Sequence, residues 1–234
     1  MSLTQTDRFE LGNQRVDIVR SPRARRLRLA VDPRSGRVRL TVPKRTSLHA
    51  AIAWAHDHHD WVAGQAAKLP KAQPIQPDMI LTVGGESLRL EWTPALSRIP
   101  KRTQDAVRVG GDLAGLNARL TRWLKREALR ILDAETREFA LLAGVVVGRV
   151  GVGDPVGRWG SCSSKGDIRY SWRLILAPPD VRRATVAHEV AHRVHMNHSA
   201  AFHALVAELY GREPQAERRW LVANGAALHW FGKA

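Results

Sequence analysis

Apolar and polar residues alternate along Arg26-Leu27-Arg28-Leu29-Ala30-Val31 and again along Arg37-Val38-Arg39-Leu40-Thr41-Val42. Strict alternation marks strands with one buried face. The intervening Asp32-Pro33-Arg34-Ser35-Gly36 is turn chemistry, so the two runs predict a β-hairpin. Leu27, Leu29, Val31, Val38, Leu40 and Val42 form its buried face, and Arg26, Arg28, Arg37 and Arg39 its open one. Ser47 caps a predicted helix of about five turns that runs through Trp54 and Trp61 to Ala67. Pro70, Pro74 and Pro77 mark residues 69–77 as a linker or loop. Further strands are expected around Ile80–Val83, Ser87–Trp92 and Ala106–Val109, closed by Gly110 and Gly111.

The apolar period then lengthens to that of a helix. Leu116, Leu120, Trp123, Leu124, Ala128, Ile131 and Leu132 share one side of an amphipathic helix expected from about Leu113 to Leu142. Val145-Val146-Val147 reads as a short strand. A second hairpin is expected from Arg158–Cys162 and Ile168–Leu176, turning at Gly166-Asp167. Pro178-Pro179 stop that strand and open a helix near Asp180, with further helices from Ser199 and over about Glu213–Asn224. No internal repeat is visible. This order of elements predicts an α+β chain: a β-rich basic module with one helix over residues 1–112, and a second domain over 113–234.

Charge changes the picture next. Lys and Arg number 37 against 22 acidic residues, a net charge of +15, which attracts polyanions. The basic hairpin face is a candidate nucleic-acid contact, and an Arg-rich surface that only keeps the sheet soluble is the alternative. Cys162 stands alone, so an intrachain disulfide is excluded. The longest apolar stretch, Phe139 to Val147, is far short of the ~20 residues a membrane span needs. Met1 to Asp7 carries no basic segment followed by an apolar one. A soluble, cytoplasmic protein without membrane contact is the expectation.

The richest chemistry lies in His188-Glu189-Val190-Ala191-His192, an HExxH pattern on the helix predicted to open near Asp180. Histidines four apart share a helix face, so both imidazoles reach one ion. Glu189, beside the first, points next to the metal and can take a proton from a water there. Zinc takes a third protein ligand in catalytic sites. His195, the acids Glu208, Glu213 and Glu217, and His198 compete for it. His198 is favoured if Asn197 ends the helix in the left-handed conformation and Ser199 caps the next one, swinging His198 back. Arg158 either holds an anionic substrate group or pairs with an acid such as Asp154. Tyr170 or His195 is a candidate oxyanion partner. The cluster His56-Asp57-His58-His59-Asp60 reads as a solvated helix face, and Cys162 as a small buried residue.

Arg158-Trp159-Gly160-Ser161-Cys162, Trp172-Arg173-Leu174, Ala177-Pro178-Pro179, His188-Glu189 through His192 to Asn197-His198-Ser199, and Phe202 together resemble the YgjP-like metallopeptidase family, related to SprT-like and WLM zinc peptidase domains. The hairpin from Ser21-Pro22-Arg23 to Val42-Pro43 and the Trp-bearing helix after it are also similar. The resemblance covers about residues 14 to 225, more loosely between 69 and 115. It implies a zincin-like metalloprotease fold with an N-terminal β-hairpin-rich module, zinc (Zn2+) held by His188, His192 and His198, and Glu189 as acid/base. It differs from the metzincin pattern, which has glycine where His195 stands. The expected function is a zinc-dependent hydrolase, most simply a peptidase, with an edge strand of the 158–176 hairpin holding an extended peptide. A nucleotide phosphohydrolase and a nucleic-acid-binding protein with a non-catalytic zinc site are the alternatives. The substrate would be a peptide or a nucleotide accordingly.

Overall fold

The computed structural model describes residues 8–233. The leader reading on Met1 to Asp7 lies outside the described residues. The chain divides into two compact units, Met1–Lys71 and Ala72–Ala234. The division falls inside the proline-bearing stretch 69–77, not at 112/113 as the order of elements led us to expect. The reason is burial. Leu81, Val83, Leu88, Leu90, Val107 and Val109 belong to one apolar cluster with the long helix that follows them, so those strands are part of the second unit's core.

The first unit has strands β1 (Arg8–Leu11), β2 (Gln14–Ser21), β3 (Arg28–Val31) and β4 (Val38–Pro43) in the order β1-β2-β4-β3. β3 and β4 are the antiparallel pair foreseen around Asp32–Gly36, and β2 runs parallel to β4. Leu11, Val16, Ile18, Leu29, Val38, Leu40 and Val42 face in and pack on Ala51, Ala55 and Val62 of two helices. Those helices are α1 (Leu48–His56) and α2 (His59–Ala66), where one continuous helix was expected. Ser47 caps α1 as foreseen, accepting from Ala50 N at 3.1 Å. The break follows from His58, whose Nδ1 donates to Trp54 O at 2.8 Å and whose own N–H bonds Ala55 O. A side chain that takes the carbonyl four residues back competes with the helix ladder.

The second unit repeats this topology. β5 (Ile80–Val83), β6 (Glu86–Trp92), β7 (Lys101–Arg102) and β8 (Ala106–Val109) lie in the order β5-β6-β8-β7, antiparallel, parallel, antiparallel, as in the first sheet. Both sheets open with a two-residue turn led by a glycine at positive φ, Gly12 in one and Gly84 in the other. A helix follows each sheet. The repeat lies in topology, and different apolar residues fill equivalent inward positions, which is why residue identity does not reveal it.

Helix α3 (Leu116–Leu142) buries Leu116, Leu120, Trp123, Leu124, Ala128, Leu132 and Phe139. Each large side chain fully buried this way contributes about 1.5–3 kcal/mol. Val145 to Val147 forms no strand. Its carbonyls bond to arginines instead: Arg193 Nε donates to Val146 O at 3.0 Å and Arg137 Nη1 to Val147 O at 2.8 Å. The strand comes just after, as β9 (Val150–Gly153). It pairs parallel with β11 (Ile168–Ser171), which pairs antiparallel with β10 (Gly160–Cys162). The strand expected to reach Leu176 stops at Ser171, whose hydroxyl caps a 3-10 helix over Trp172–Leu176. Then come α4 (Pro179–Ala191), α5 (Ala200–Tyr210) and α6 (Gln215–Leu228). The chain is thus of mixed α and β structure with small sheets and six α-helices among the described residues. None of these helices is long and apolar enough to cross a membrane.

Candidate metal centre

Pro179 starts α4 where a missing N–H costs nothing. Val181, Ala184, Val186, Ala187, Val190 and Ala191 are buried along it. Two ion pairs hold this helix to α3. Arg182, a residue only 4% exposed, meets the Glu135 carboxylate through three contacts of 2.8–3.1 Å, and Arg183 pairs with Glu138 nearer the surface. With α4 fixed, His188 and His192 stand one turn apart, ring centroids 5.0 Å from each other.

The third histidine arrives by a different route from the one foreseen. Among the described residues Asp78 alone, apart from glycines, has positive φ, so Asn197 is not left-handed. α4 ends earlier, at Ala191, with His192 as its cap. A tight turn follows, in which Arg193 N bonds Val190 O and His195 N bonds Ala191 O. Ser199 does cap α5, accepting from Phe202 N at 3.3 Å. His198, just before that cap, faces the other two, and its Nε2 lies 3.2 Å from His188 Nε2. Phe202, fully buried, forms the floor: it stacks on His192 at 4.5 Å and meets His188 and His198 edge-on at 4.9 and 4.8 Å.

These three residues fit a metal. One ligand atom from each of His188, His192 and His198 lies within 4.8 Å of the others. Two nitrogens bound to one tetrahedral ion at about 2.0–2.1 Å stand about 3.3–3.4 Å apart, close to the His188–His198 separation. His192 Nδ1 sits 3.0 Å from His195 O. A carbonyl only accepts, so Nδ1 carries the proton and Nε2 keeps its lone pair for a ligand. Burial, reinforced by the neighbouring His192 and His198, pulls His188 down to about 4, so it is neutral and able to bind metal at pH 7. No other such group of His, Cys, Asp or Glu occurs among the described residues, and His58 and His59 of the first unit are occupied with Trp54 O and Asp60.

Glu189 is 5% exposed beside this cluster, and burial raises its carboxyl to about 7 despite the Arg158 charge nearby. It lies against the backbone of β10. A β-carbon built on Gly160 would stand 2.6 Å from Glu189 Cδ, so only glycine fits there. A cavity of about 340 Å³ opens beside His188 and Glu189, walled by Trp159, Val181, Ala184, Val206, Pro214 and Leu221.

The remaining candidates fall in different places. Arg158 lines the cavity. It does not pair with Asp154, because Asp154 is held by Arg173 at 2.7 and 3.0 Å. Tyr170 is fully buried, its hydroxyl 2.9 Å from Thr136 Oγ1, and the structure does not bring it to the cavity wall. His195 serves the cluster through its backbone carbonyl. Glu217 bonds Tyr210 and Arg212, Glu213 pairs with Arg218, and neither joins the histidines. Cys162 is half-buried, with its thiol pushed up by burial. Sequence reasoning assigned no role to Phe202, Gly160 or the Arg182–Glu135 pair. Phe202 had a local signal, since it stands three residues after the Ser199 cap.

A family model described as YgjP-like, metallopeptidase domain matches residues 25–224. Comparison with curated proteins gives no match. Comparison with solved structures gives none either.

Proposed function

The chain belongs to the YgjP-like metallopeptidase family, and from that premise we propose that it is a zinc peptidase of zincin-like architecture, with His188, His192 and His198 as ligands and Glu189 as acid/base. The family supports a metal-dependent hydrolase. The observation that carries the finer reading is the meeting of three imidazole nitrogens beside one buried glutamate at an apolar cavity. Three imidazole nitrogen donors without a thiolate suit zinc, and leave room for a non-protein ligand. Bound there, zinc supplies Lewis acidity toward a carbonyl oxygen and toward water.

The chain's own residues do the rest. A carboxylate oxygen of Glu189 accepts the proton of the attacking water and returns it to the departing amine nitrogen. Its burial raises its basicity for that role. Gly160 lets the carboxylate stand against the β10 backbone, and Phe202 holds the imidazoles in place. β10 pairs only with β11 in its sheet, which leaves an edge for an extended peptide. The test is Glu189→Gln. This variant is expected to keep its metal and thermal midpoint and to lose about 10²–10⁴-fold of peptide hydrolysis. Unchanged turnover would overturn the assignment.

A second reading concerns the first unit. Arg26, Arg28, Arg37 and Arg39 are exposed and none is ion-paired among the described residues, whereas Arg89, Arg102 and Arg108 of the second sheet pair with Asp78, Glu86 and Glu91. Unneutralised guanidinium groups on an open sheet face support a nucleic-acid contact there.

A further inference from the structure

A second cavity, of about 680 Å³, lies beyond Arg158, which lines both. It opens over the outer face of the β10-β11-β9 sheet. The register sets its chemistry: Arg169 stands opposite Ser161 on one side and Gly151 on the other. Ile168 and Tyr170 point into the core, so Arg169 points out. The flanking glycines leave its guanidinium room, and a β-carbon on Gly153 would stand 3.0 Å from Arg169 Nε. Arg149, Arg158, Ser161 and Ser163 line this cleft together with Arg169.

One acid, Asp167, lines the same cleft, and it is turned to backbone, accepting from Arg149 N at 2.8 Å. None of the three arginines has a carboxylate partner among the described residues, whereas Arg119, Arg173, Arg182, Arg183 and Arg212 of the same unit all do. Three like charges lining one concave surface repel one another, and an anion placed among them reduces that repulsion and can accept their hydrogen bonds. Arg158 also lines the apolar cavity at Glu189, so the two cavities are neighbours.

We propose that this cleft is an anion subsite of the hydrolytic centre, formed by Arg149, Arg158 and Arg169, that takes a carboxylate or phosphate group of the substrate. An apolar side chain of the same substrate then occupies the cavity walled by Val181, Ala184, Val206 and Leu221. The position of the bond cleaved rests on the peptidase reading, while binding of the anion does not. A peptide with an acidic or phosphorylated residue near an apolar one has both features.

The experiment measures binding, in a Glu189→Gln background that blocks turnover. The probes are a fluorescein-labelled peptide with leucine and glutamate two residues apart, and its glutamine twin, at ~0.15 M salt. The glutamate peptide is expected to bind about tenfold more tightly, and Arg149→Gln/Arg169→Gln to reduce that preference to within about twofold. Lys125→Gln/Arg126→Gln, exposed on α3 and outside the cleft, removes as much charge and is expected to leave the preference intact. Arg149 and Arg169 are both exposed, so the fold survives their change. If the double variant's thermal midpoint falls, Arg169→Gln alone replaces it, with an expected residual preference of about threefold. Inorganic pyrophosphate as competitor identifies the source of the anion. Arginine-dependent pyrophosphate binding without a glutamate preference assigns the subsite to a phosphate. A preference that survives the arginine changes, equal loss in the control variant, or no binding of either anion overturns the proposal. Failure of the peptidase reading would appear separately, as hydrolysis unaffected by Glu189→Gln.

Discussion

Gly160 shows how much of the site a single residue decides. Its missing side chain is what lets Glu189 lie against β10. Gly160→Ala must push the carboxylate aside or move the strand, since a β-carbon at 2.6 Å from Cδ cannot stand. We expect this variant to keep the metal, because the atoms a β-carbon at 160 would meet first belong to Glu189 and not to the three histidines, and to lose about 10²-fold in kcat, the scale of a misplaced catalytic group. Full activity in that variant, measured with metal content alongside, would show that Glu189 tolerates displacement. At this scale the sequence was legible where chemistry has a fixed spacing. His188, Glu189 and His192 are recognisable because one helical turn separates the two ligands. Tyr170 was not, because its side-chain direction depends on strand parity and on Thr136, 34 residues away, which accepts or donates at its hydroxyl.

The elements place these residues through one buried contact that local patterns do not show. Arg182 and Glu135 lie 47 positions apart in the chain and meet with 5% and 10% of their side chains exposed. Removing one partner leaves the other charged and buried, which costs about 3–5 kcal/mol. Glu135→Ala is therefore expected to lower the unfolding free energy by that amount, read as a lower denaturant midpoint at unchanged slope, and to loosen α4 against α3. A midpoint within experimental error of the wild type would show that the pair is dispensable. Helix existence was legible throughout the second half, since apolar periodicity and the proline and serine caps agree. Helix ends were less so. α4 stops at Ala191 because residues 190–195 close a tight turn, and His58 breaks the first-unit helix by binding Trp54 O. Both depend on hydrogen bonds that residue propensity does not encode.

At the scale of the whole molecule, the two sheets share one topology and differ in charge. The sequence pattern reveals neither strands β1, β2 and β7 nor the parallel pairings, because β1 has four residues and β7 two, β2 lacks strict apolar alternation, and parallel partners are distant in sequence. The basic face of the first sheet was legible, since alternation alone puts Arg28 and Arg39 on its open side. Replacing Arg26, Arg28, Arg37 and Arg39 with Gln is expected to weaken nucleic-acid binding and to flatten its salt dependence by a slope of up to about 4. Thermal stability should change little, as exposed unpaired charges contribute little to folding. Equal binding by both proteins at ~0.15 M salt would leave that face as a solubilising surface. The central claim is that His188, His192 and His198 form a zinc site, and metal content after zinc reconstitution and exhaustive dialysis tests it most directly. About one zinc per wild-type chain is predicted, with loss of the metal in His188→Ala and in His192→Ala, because each change leaves only two of the three ligands. A wild-type protein that retains no zinc, or variants that retain it fully, would contradict the account.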